Sequence, residues 1–371
     1  MILDKILISY ILLGLLALIL ILPLFSRRIE RNLEIFFFAM GIVAATISFS
    51  WSIELVAEAF KTPLFIRDVP IGIVQVVFIA SLLFGYYSEK IDDLVESLRK
   101  KISTPVLLAI LAAVLGLGSS IISVIVASVI ISEIAFHINI PRKLLTRFLI
   151  TSAYALGIGA ALTPVGEPLA TIAVHKLSGE PYHADFLFLA RLLGVYIVPL
   201  VLAYSLYIYF YSKRFLEKHL IEEPVESVEA QIFSQKSSLK DLLKTALERS
   251  VRVYLFIFAL VLIGESYKII VELYLKDLPS MYMYLFGSLS AIVDNATLAA
   301  TVIDPELSLL QIKSFLISLL IAGGFLIPGN IPNIVMANIH KIEFREWARE
   351  AIPIGIIPFI ILWILIEFLN L

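Results

Sequence analysis

Hydrophobic residues occupy the chain in long runs, and most polar residues fall between these runs. Six runs are long enough to span a bilayer, because about 20 apolar residues cover its hydrocarbon core. We interpret the first as a retained transmembrane helix rather than a signal peptide, since it lacks a small-residue cleavage site. The six runs lie at about residues 6–25, 33–59, 69–87, 186–212, 251–273 and 351–370.

Four further apolar runs contain interruptions. The run 104–131 has GLGSS at its centre (Gly116 to Ser120), and 145–177 is split by TPVGEP (Thr163 to Pro168). The run 281–303 holds an adjacent Asp-Asn pair, and 311–339 is split by PGNIPN (Pro328 to Asn333). In hydrocarbon, irregular backbone is tolerated only where protein or a water-filled cavity covers it. The interruptions therefore predict a cavity near the middle of the membrane.

The composition agrees with this pattern. Of the 371 residues, 60% are hydrophobic and only 16% are charged, which predicts a membrane protein with several spans. The net charge of −2 gives no indication of a nucleic-acid partner. The absence of cysteine excludes disulfides and thiolate metal sites. No metalloprotease or serine-hydrolase motif is present, so we expect neither an enzyme nor a bound cofactor.

Lysine and arginine residues orient the predicted spans, because they concentrate in cytoplasmic loops. They follow the first run at Arg27 and Arg28, flank the run 104–131, and fill the polar stretch 213–250. These positions agree only if 104–131 is a re-entrant hairpin from the cytoplasm and 281–303 is one from outside. We therefore expect a multi-pass protein of the cell (plasma) membrane, with both termini outside.

The two halves of the chain also resemble each other. GAALTPVGEPLATI from Gly159 aligns without a gap to GGFLIPGNIPNIVM from Gly323, and both prolines coincide. The two predicted hairpins share a Gly-Ser start at Gly118 and Gly287. Inverted repeats with interrupted helices are typical of secondary transporters. The predicted fold is an all-α polytopic membrane protein with two inverted-topology repeats, each containing a re-entrant hairpin and a broken transmembrane helix.

This fold divides the chain into four parts. An extra N-terminal transmembrane helix covers residues 1–32, and the first inverted repeat covers 33–180. The second repeat covers 181–345 and includes a cytoplasmic linker at about 213–250. A C-terminal transmembrane helix covers 346–371.

Asp294 is the leading candidate for a functional residue, because a carboxylate inside a membrane costs about 2.5–3.5 kcal/mol. We predict that Asp294 and Glu167 bind the transported Na⁺ and the proton in turn. Further candidate ligands are Asn295, Thr297, Thr163, Asn330 and Asn333. The helix breaks are assigned to Pro164, Gly166, Pro168, Pro328, Gly329 and Pro332. The hairpin tips are assigned to Gly118, Ser119, Ser120 and Ser290. We expect both breaks and both tips to converge.

Three stretches resemble a known group. SAIVDNATLAAT from Ser290 resembles the second hairpin of D-type sodium/proton antiporters in the ion-transporter superfamily, which also includes arsenite permeases and divalent-anion/sodium symporters. TPVGEPLATIAV resembles the first broken helix of these antiporters, and GGFLIPGNIPNIV resembles the second break of the superfamily. The resemblance implies two inverted repeats and a homodimer. The chain departs from the pattern at SVIVAS (Ser123 to Ser128), where these antiporters carry an acid or an amide. The chain is also short for the superfamily. It resembles an uncharacterised family of compact archaeal and bacterial cation transporters.

The expected function is a Na⁺/H⁺ antiporter with small inorganic ions and the lipid bilayer as its partners. A sodium- or proton-coupled anion carrier of the same superfamily is the alternative. Its anion would sit at half-helix N-termini, with Arg191 as the one basic candidate and Glu167 as a repelling charge. An intramembrane enzyme and a channel are more remote alternatives. The sequence leaves open which cation is transported.

Overall fold

The structure is a computed structural model. It describes residues 2–30, 32–65, 72–87, 90, 93, 97–98, 100–219, 239–274, 278–293 and 295–369. Every regular element in these residues is a helix. In the first half these are α1 (Ile2–Phe25), α2 (Arg27–Glu30), α3 (Leu33–Ile47), α4 (Ile53–Lys61), α5 (Ile73–Tyr86), α6 (Thr104–Ile122), α7 (Val124–His137), α8 (Arg142–Ala160) and α9 (Pro168–Lys176).

The second half has longer helices at its ends and short ones between them. They are α10 (Phe188–His219), α11 (Leu239–Tyr274), α12 (Ser280–Gly287), α13 (Asn295–Val302), α14 (Leu309–Ala322), α15 (Ile331–His340) and α16 (Phe344–Phe368). Two 3₁₀ turns, Ser288–Ala291 and Ile327–Gly329, follow α12 and α14.

Five helices in the described part are long and apolar enough to cross a membrane. The spanning segments are Lys5–Pro23, Thr104–Ile122, Phe188–Lys218, Lys240–Ile270 and Phe344–Phe368. Three shorter apolar helices accompany them, in α3, α7 and α14. These observations confirm the prediction of an all-helical membrane protein.

One predicted span is divided in the structure. The apolar run 33–59 is not one helix, because the chain turns between α3 and α4. Phe49 has a positive φ of 55°, and the Ser52 hydroxyl accepts a hydrogen bond from the Leu55 amide at 3.0 Å to begin α4. The polar stretch 213–250 is helical at both of its described ends, since it contains the last turns of α10 and the first turns of α11.

The interruption predicted at GLGSS was also misplaced, because α6 continues through it to Ile122. The hydroxyls of Ser119 and Ser120 donate to the carbonyls of Gly116 and Leu117, so the serines are accommodated within the helix. The chain turns instead at Ser123, with φ 73° and ψ 139°. Gly116 serves close packing, since a Cβ at Gly159 of α8 would overlap its carbonyl oxygen.

Helix α8 lies at the centre of the molecule and is buried along most of its length. It packs against α6, α10, α15 and α16. Tyr154 in its middle is fully buried, donates a hydrogen bond to the Ala351 carbonyl at 3.0 Å, and stacks on Tyr204 at 5.1 Å. A large polar side chain at this depth fixes α8 against α16, because its hydroxyl needs a partner there.

Candidate functional site

The first break consists of residues 161–167, between α8 and α9. Gly166 is required there because a Cβ would overlap the Ala160 carbonyl. Glu167 caps α9 with extended backbone (φ −151°, ψ 159°), and only 5% of the residue is exposed. Pro168 follows at the first helical position, where its missing N–H has no intrahelical acceptor to lose. A buried carboxylate therefore stands at the N-terminus of a half-helix.

The second break consists of residues 323–330, between α14 and α15. The Asn333 side chain donates to the carbonyls of Gly323 (2.7 Å) and Leu326 (2.8 Å). Trp347 donates to the Gly324 carbonyl at 3.2 Å. Asn330 caps α15, with its side-chain oxygen accepting from the Ile331 amide at 2.8 Å. Side chains thus satisfy carbonyls that are freed where α14 ends.

The first tip, residues 119–124 at the end of α6 and the start of α7, lies against the first break. The Ser119 hydroxyl donates to the Leu156 carbonyl at 3.0 Å, and the Thr163 hydroxyl donates to the Ser120 carbonyl. The Val124 amide donates to the Gly166 carbonyl at 2.8 Å. Three hydrogen bonds therefore join this tip to the end of α8 and to the break.

The second tip, residues 288–293 between α12 and α13, has the same relation to the second break. The Ser290 hydroxyl donates to the Leu319 carbonyl at 2.8 Å. The bare face of Gly329 lies against the Ser290 carbonyl, so that a Cβ there would stand 2.5 Å from the carbonyl oxygen. Each tip is thus paired with the break nearest to it in the sequence.

The two interrupted helices run in opposite directions. Arg142, which begins α8, donates to the His340 carbonyl at the end of α15 (2.8 Å). At the other end of the molecule, Lys176 closes α9 and donates to the Ile303 carbonyl at 3.0 Å, just beyond α13. Because α14 begins only a few residues after Ile303, the end of α9 lies near the start of α14. The start of α8 lies near the end of α15. The helix pair α8–α9 therefore runs antiparallel to the pair α14–α15.

The second break lies against the last turn of α8, which leads into the first break. Gly157, one turn before the first break, faces the Asn330 side chain closely enough that a Cβ would overlap its amide nitrogen. The same Cβ would lie 3.8 Å from the ring of Pro332. The second break therefore packs against the helix that leads into the first break, whereas the convergence of both breaks and both tips stays a prediction.

Two asparagine side chains at the second break have unused hydrogen-bonding capacity. Asn295 is 3% exposed, and neither its side-chain oxygen nor its nitrogen has a hydrogen-bond partner within the described residues. It lies against Gly323, whose Cβ would stand 2.9 Å from the Asn295 oxygen and 3.1 Å from the Gly329 carbonyl oxygen. The Asn333 oxygen, in a fully buried side chain, is unpartnered in the same part of the chain. Buried polar atoms usually have a hydrogen-bond partner, so these side chains are candidates for binding a ligand.

The predicted site residues divide between the two breaks. Asp294 lies outside the described residues, as does the side chain of Thr297. The second break brings together Asn295, Asn330, Asn333, Ser290, Pro328, Gly329 and Pro332. The first break brings together Ser119, Ser120, Thr163, Pro164, Gly166, Glu167 and Pro168. Gly118 has no atom within 4 Å of where its Cβ would stand, and so packs against neither break.

Sequence reasoning missed the residues that hold α8 against its neighbouring helices. A Cβ at Gly324 or Gly355 would overlap the ring of Tyr154, so this tyrosine fills the space between the second break and α16. Arg147 pairs with the buried Glu350 of α16 and donates to the Tyr207 hydroxyl at 2.8 Å. These contacts could not be predicted from the sequence. Tyr154 is a single tyrosine within an apolar run, and Arg147 lies beside a predicted loop.

Arg191 does not lie near the contact between the last turn of α8 and the second break. It forms an exposed pair with Asp185 at 2.6 Å, in the loop that precedes α10. The hydrogen bond from Arg191 holds the pKa of Asp185 below its ordinary value. The one basic candidate for an anion site is thus paired with a carboxylate outside it.

Comparison with protein families identifies the chain. It belongs to the family described as "Protein of unknown function (DUF1646)", whose model matches residues 9–369. A comparison with curated proteins gave no match.

Proposed function

We propose that this chain is a secondary active cation transporter, and specifically a Na⁺/H⁺ antiporter that works by alternating access. The observation that carries the proposal is the second break, where two buried amide side chains with unused oxygens adjoin crowded backbone carbonyls. Oxygen ligands of this kind suit a hard cation. An unwound membrane helix that presents them is typical of secondary transporters.

Two inverted repeats account for the contacts of α6 with α8. Gly116 faces Ala155, and Ser120 meets Thr163, so the two helices advance in parallel toward the first break. Helix α7 then returns to the end where α8 begins, since its Ser132 carbonyl contacts the His340 ring at 2.9 Å. This course is that of a re-entrant hairpin from the side of Arg142.

The second hairpin has the opposite orientation in this proposal. The Gln311 side chain at the start of α14 donates to the Leu278 carbonyl just before α12, at 3.0 Å. Ser318 farther along α14 donates to the Tyr284 carbonyl of α12. Helices α12 and α14 therefore advance together, and α13 returns to the end marked by Lys176 and Ile303.

Exchange follows from competition at a carboxylate. Glu167 caps α9, so its carboxyl group adjoins the positive end of a half-helix. Asp294 directly precedes Asn295 in the sequence and is proposed as the second carboxylate. An ionised carboxylate within the membrane needs a counter-charge. Na⁺ supplies it in one state, and a bound proton neutralises the same group in the other. Binding of one excludes the other, so a single site exchanges the two ions.

The test uses the purified full chain in liposomes with imposed Na⁺ and pH gradients, read by an internal pH dye. We expect Na⁺-driven proton movement whose apparent Na⁺ affinity falls about tenfold per pH unit below the pKa of the site. Asp294→Asn should abolish this exchange in a protein that remains folded. The matched control is Asp304→Asn, which removes a carboxylate from the polar loop after α13 and should exchange normally.

Normal exchange by Asp294→Asn, or a Na⁺ affinity independent of pH, would contradict the proposal. Sodium uptake that requires a co-transported anion and moves no protons would favour the anion carrier. Replacing Na⁺ by Li⁺ or K⁺ in the same assay identifies the cation.

A further inference from the structure

A cleft of about 460 Å³ opens at the end of α10, beside the first turn of α8. Three basic residues line it: Lys143 from α8, and Arg214 and Lys218 from α10. The remaining wall is aromatic and consists of Tyr207, Phe210, Tyr211 and Phe215. The cleft lies more than two turns of α8 away from the first break, so it is separate from the proposed cation site.

The three cations have no carboxylate partner in the part of the chain that the structure describes. Arg142 and Arg147, at the same end of α8, are paired with Glu346 and Glu350. None of the cations that line the cleft forms an ion pair with any described residue. Among the described residues, the positive charges of the cleft are therefore not paired with carboxylates, and the cleft is suited to an anionic ligand.

The aromatic wall is fixed in place before any ligand binds. Arg147 donates to the Tyr207 hydroxyl and lies over the Tyr211 ring, 4.8 Å from its centroid. The same arginine is held by Glu350 of α16. The wall is thus attached to the core through a buried ion pair, and binding does not have to order it.

The cleft lies where a membrane changes from hydrocarbon to headgroups. Helix α10 has 32 residues and is about 48 Å long at 1.5 Å per residue, whereas the hydrocarbon core is about 30 Å thick. The helix therefore extends beyond the hydrocarbon, and its charged last turns, with Arg214 and Lys218, are the part that favours water. Three of the four aromatic residues precede both basic residues along α10, which is the order expected at a membrane interface. By the charge rule this is the cytoplasmic end.

We infer that this cleft binds an anionic phospholipid of the cytoplasmic leaflet. The phosphate lies among the ammonium and guanidinium groups of Lys143, Arg214 and Lys218, and an acyl chain follows Phe210 and Tyr207 toward the hydrocarbon. Basic pockets between transmembrane helices recognise lipid headgroups in this way. A soluble phosphate would use the cations but not the aromatic wall. The inference is independent of the transported ion.

The test titrates the detergent-solubilised full chain with fluorescent phosphatidylglycerol, using phosphatidylcholine as the uncharged reference. We expect tighter binding of phosphatidylglycerol. Replacing Lys143, Arg214 and Lys218 together by glutamine should weaken it about fivefold per cation, or on the order of a hundredfold in total. Each single substitution should give about fivefold, which keeps the test usable if the triple variant does not fold.

The matched control replaces Lys213, Lys240 and Lys244 by glutamine, which removes the same charge from exposed positions outside the cleft. It should retain the preference for phosphatidylglycerol. Equal losses in both triple variants would overturn the inference, because they would indicate diffuse surface attraction. Inorganic phosphate that competes at the same concentration as the lipid would also overturn it. Phe210→Ala should weaken lipid binding several-fold, and no change would exclude the acyl-chain contact.

Discussion

The two breaks occupy aligned positions in the sequence but differ in their surroundings. Residues of the second break are almost all buried, and its carbonyls are bonded to Asn333 and Trp347. The first break has an outer edge, where Val165 is 46% exposed and Pro168 is also exposed. Its polar groups point inward, since Thr163, Gly166 and Thr171 are hydrogen-bonded within the break or to its tip.

This difference shows how an unwound membrane helix is tolerated. What matters is whether its backbone groups are bonded, rather than whether the whole segment is enclosed. An edge that presents valine and proline exposes side chains without polar atoms, and proline has no N–H to satisfy. The enclosed second break holds the unpartnered amides, so we expect substitutions there to have the larger effects.

The largest contrast is expected between Gly329→Ala and Val165→Ala, which change aligned positions of the two breaks. A Cβ at Gly329 would overlap the Gly323 and Ser290 carbonyls, and backbone atoms cannot move aside as a flexible side chain can. Overpacking of this kind costs about 1–3 kcal/mol or more. We expect Gly329→Ala to lower the thermal unfolding midpoint clearly and to stop exchange in liposomes. Equal behaviour of the two variants would remove the distinction between the breaks.

A second contrast, within the second break, distinguishes a side chain that stabilises the fold (Asn333) from one proposed to bind Na⁺ (Asn295). Asn333→Ala removes the donor to two buried carbonyls, so we expect a loss of about 1–3 kcal/mol in the free energy of unfolding. Asn295→Ala removes no hydrogen bond to a described residue and should leave stability nearly unchanged. It should instead weaken the apparent Na⁺ affinity. Denaturant titration and the liposome assay measure the two effects, and a large destabilisation by Asn295→Ala would assign it a structural role.

A substitution of Glu167 tests whether the first break also takes part in binding the transported Na⁺. Glu167→Gln keeps the size of the cap residue and removes its charge. We expect exchange to slow several-fold while the unfolding midpoint stays within a few degrees. Complete loss of exchange, as expected for Asp294→Asn, would make both breaks equal contributors to the site.

The smallest effect is expected at the aligned glycines Gly118 and Gly287. No atom lies within 4 Å of a Cβ at Gly118, which is inside α6, so Gly118→Ala should stabilise the protein by about 0.5–1 kcal/mol. A Cβ at Gly287 would overlap the Ser318 side chain and stand 3.0 Å from the Leu319 amide. Gly287→Ala should therefore destabilise it. Unfolding midpoints of the two variants measure the difference, and the same sign for both would show that the tips are packed alike.

The hydrophobic pattern alone determined that the chain is an all-helical membrane protein, because spanning helices need long apolar runs. It also located both breaks, since Pro-Gly sequences inside such runs cannot continue a helix. Glu167, Asn295 and Asn333 were identified as candidates for the same reason, because polar groups in apolar runs need a partner or a ligand. The exact turn of the first tip was not predictable, since Gly116 and Ser119 are as compatible with close helix packing as with a break.

Only the tertiary structure decided which of these residues meet. The contact of Gly157 with Asn330, and the position of Tyr154 behind Gly324, join residues that are far apart in the sequence. Glycine permits such close approaches because it lacks a side chain. A glycine in the sequence therefore shows that a close contact is possible, but it does not show which residue makes it. The same holds for the pairing of Arg147 with Glu350. A charge pattern predicts the side of the membrane, whereas the packing of α8 against α16 determines which opposite charge lies within reach.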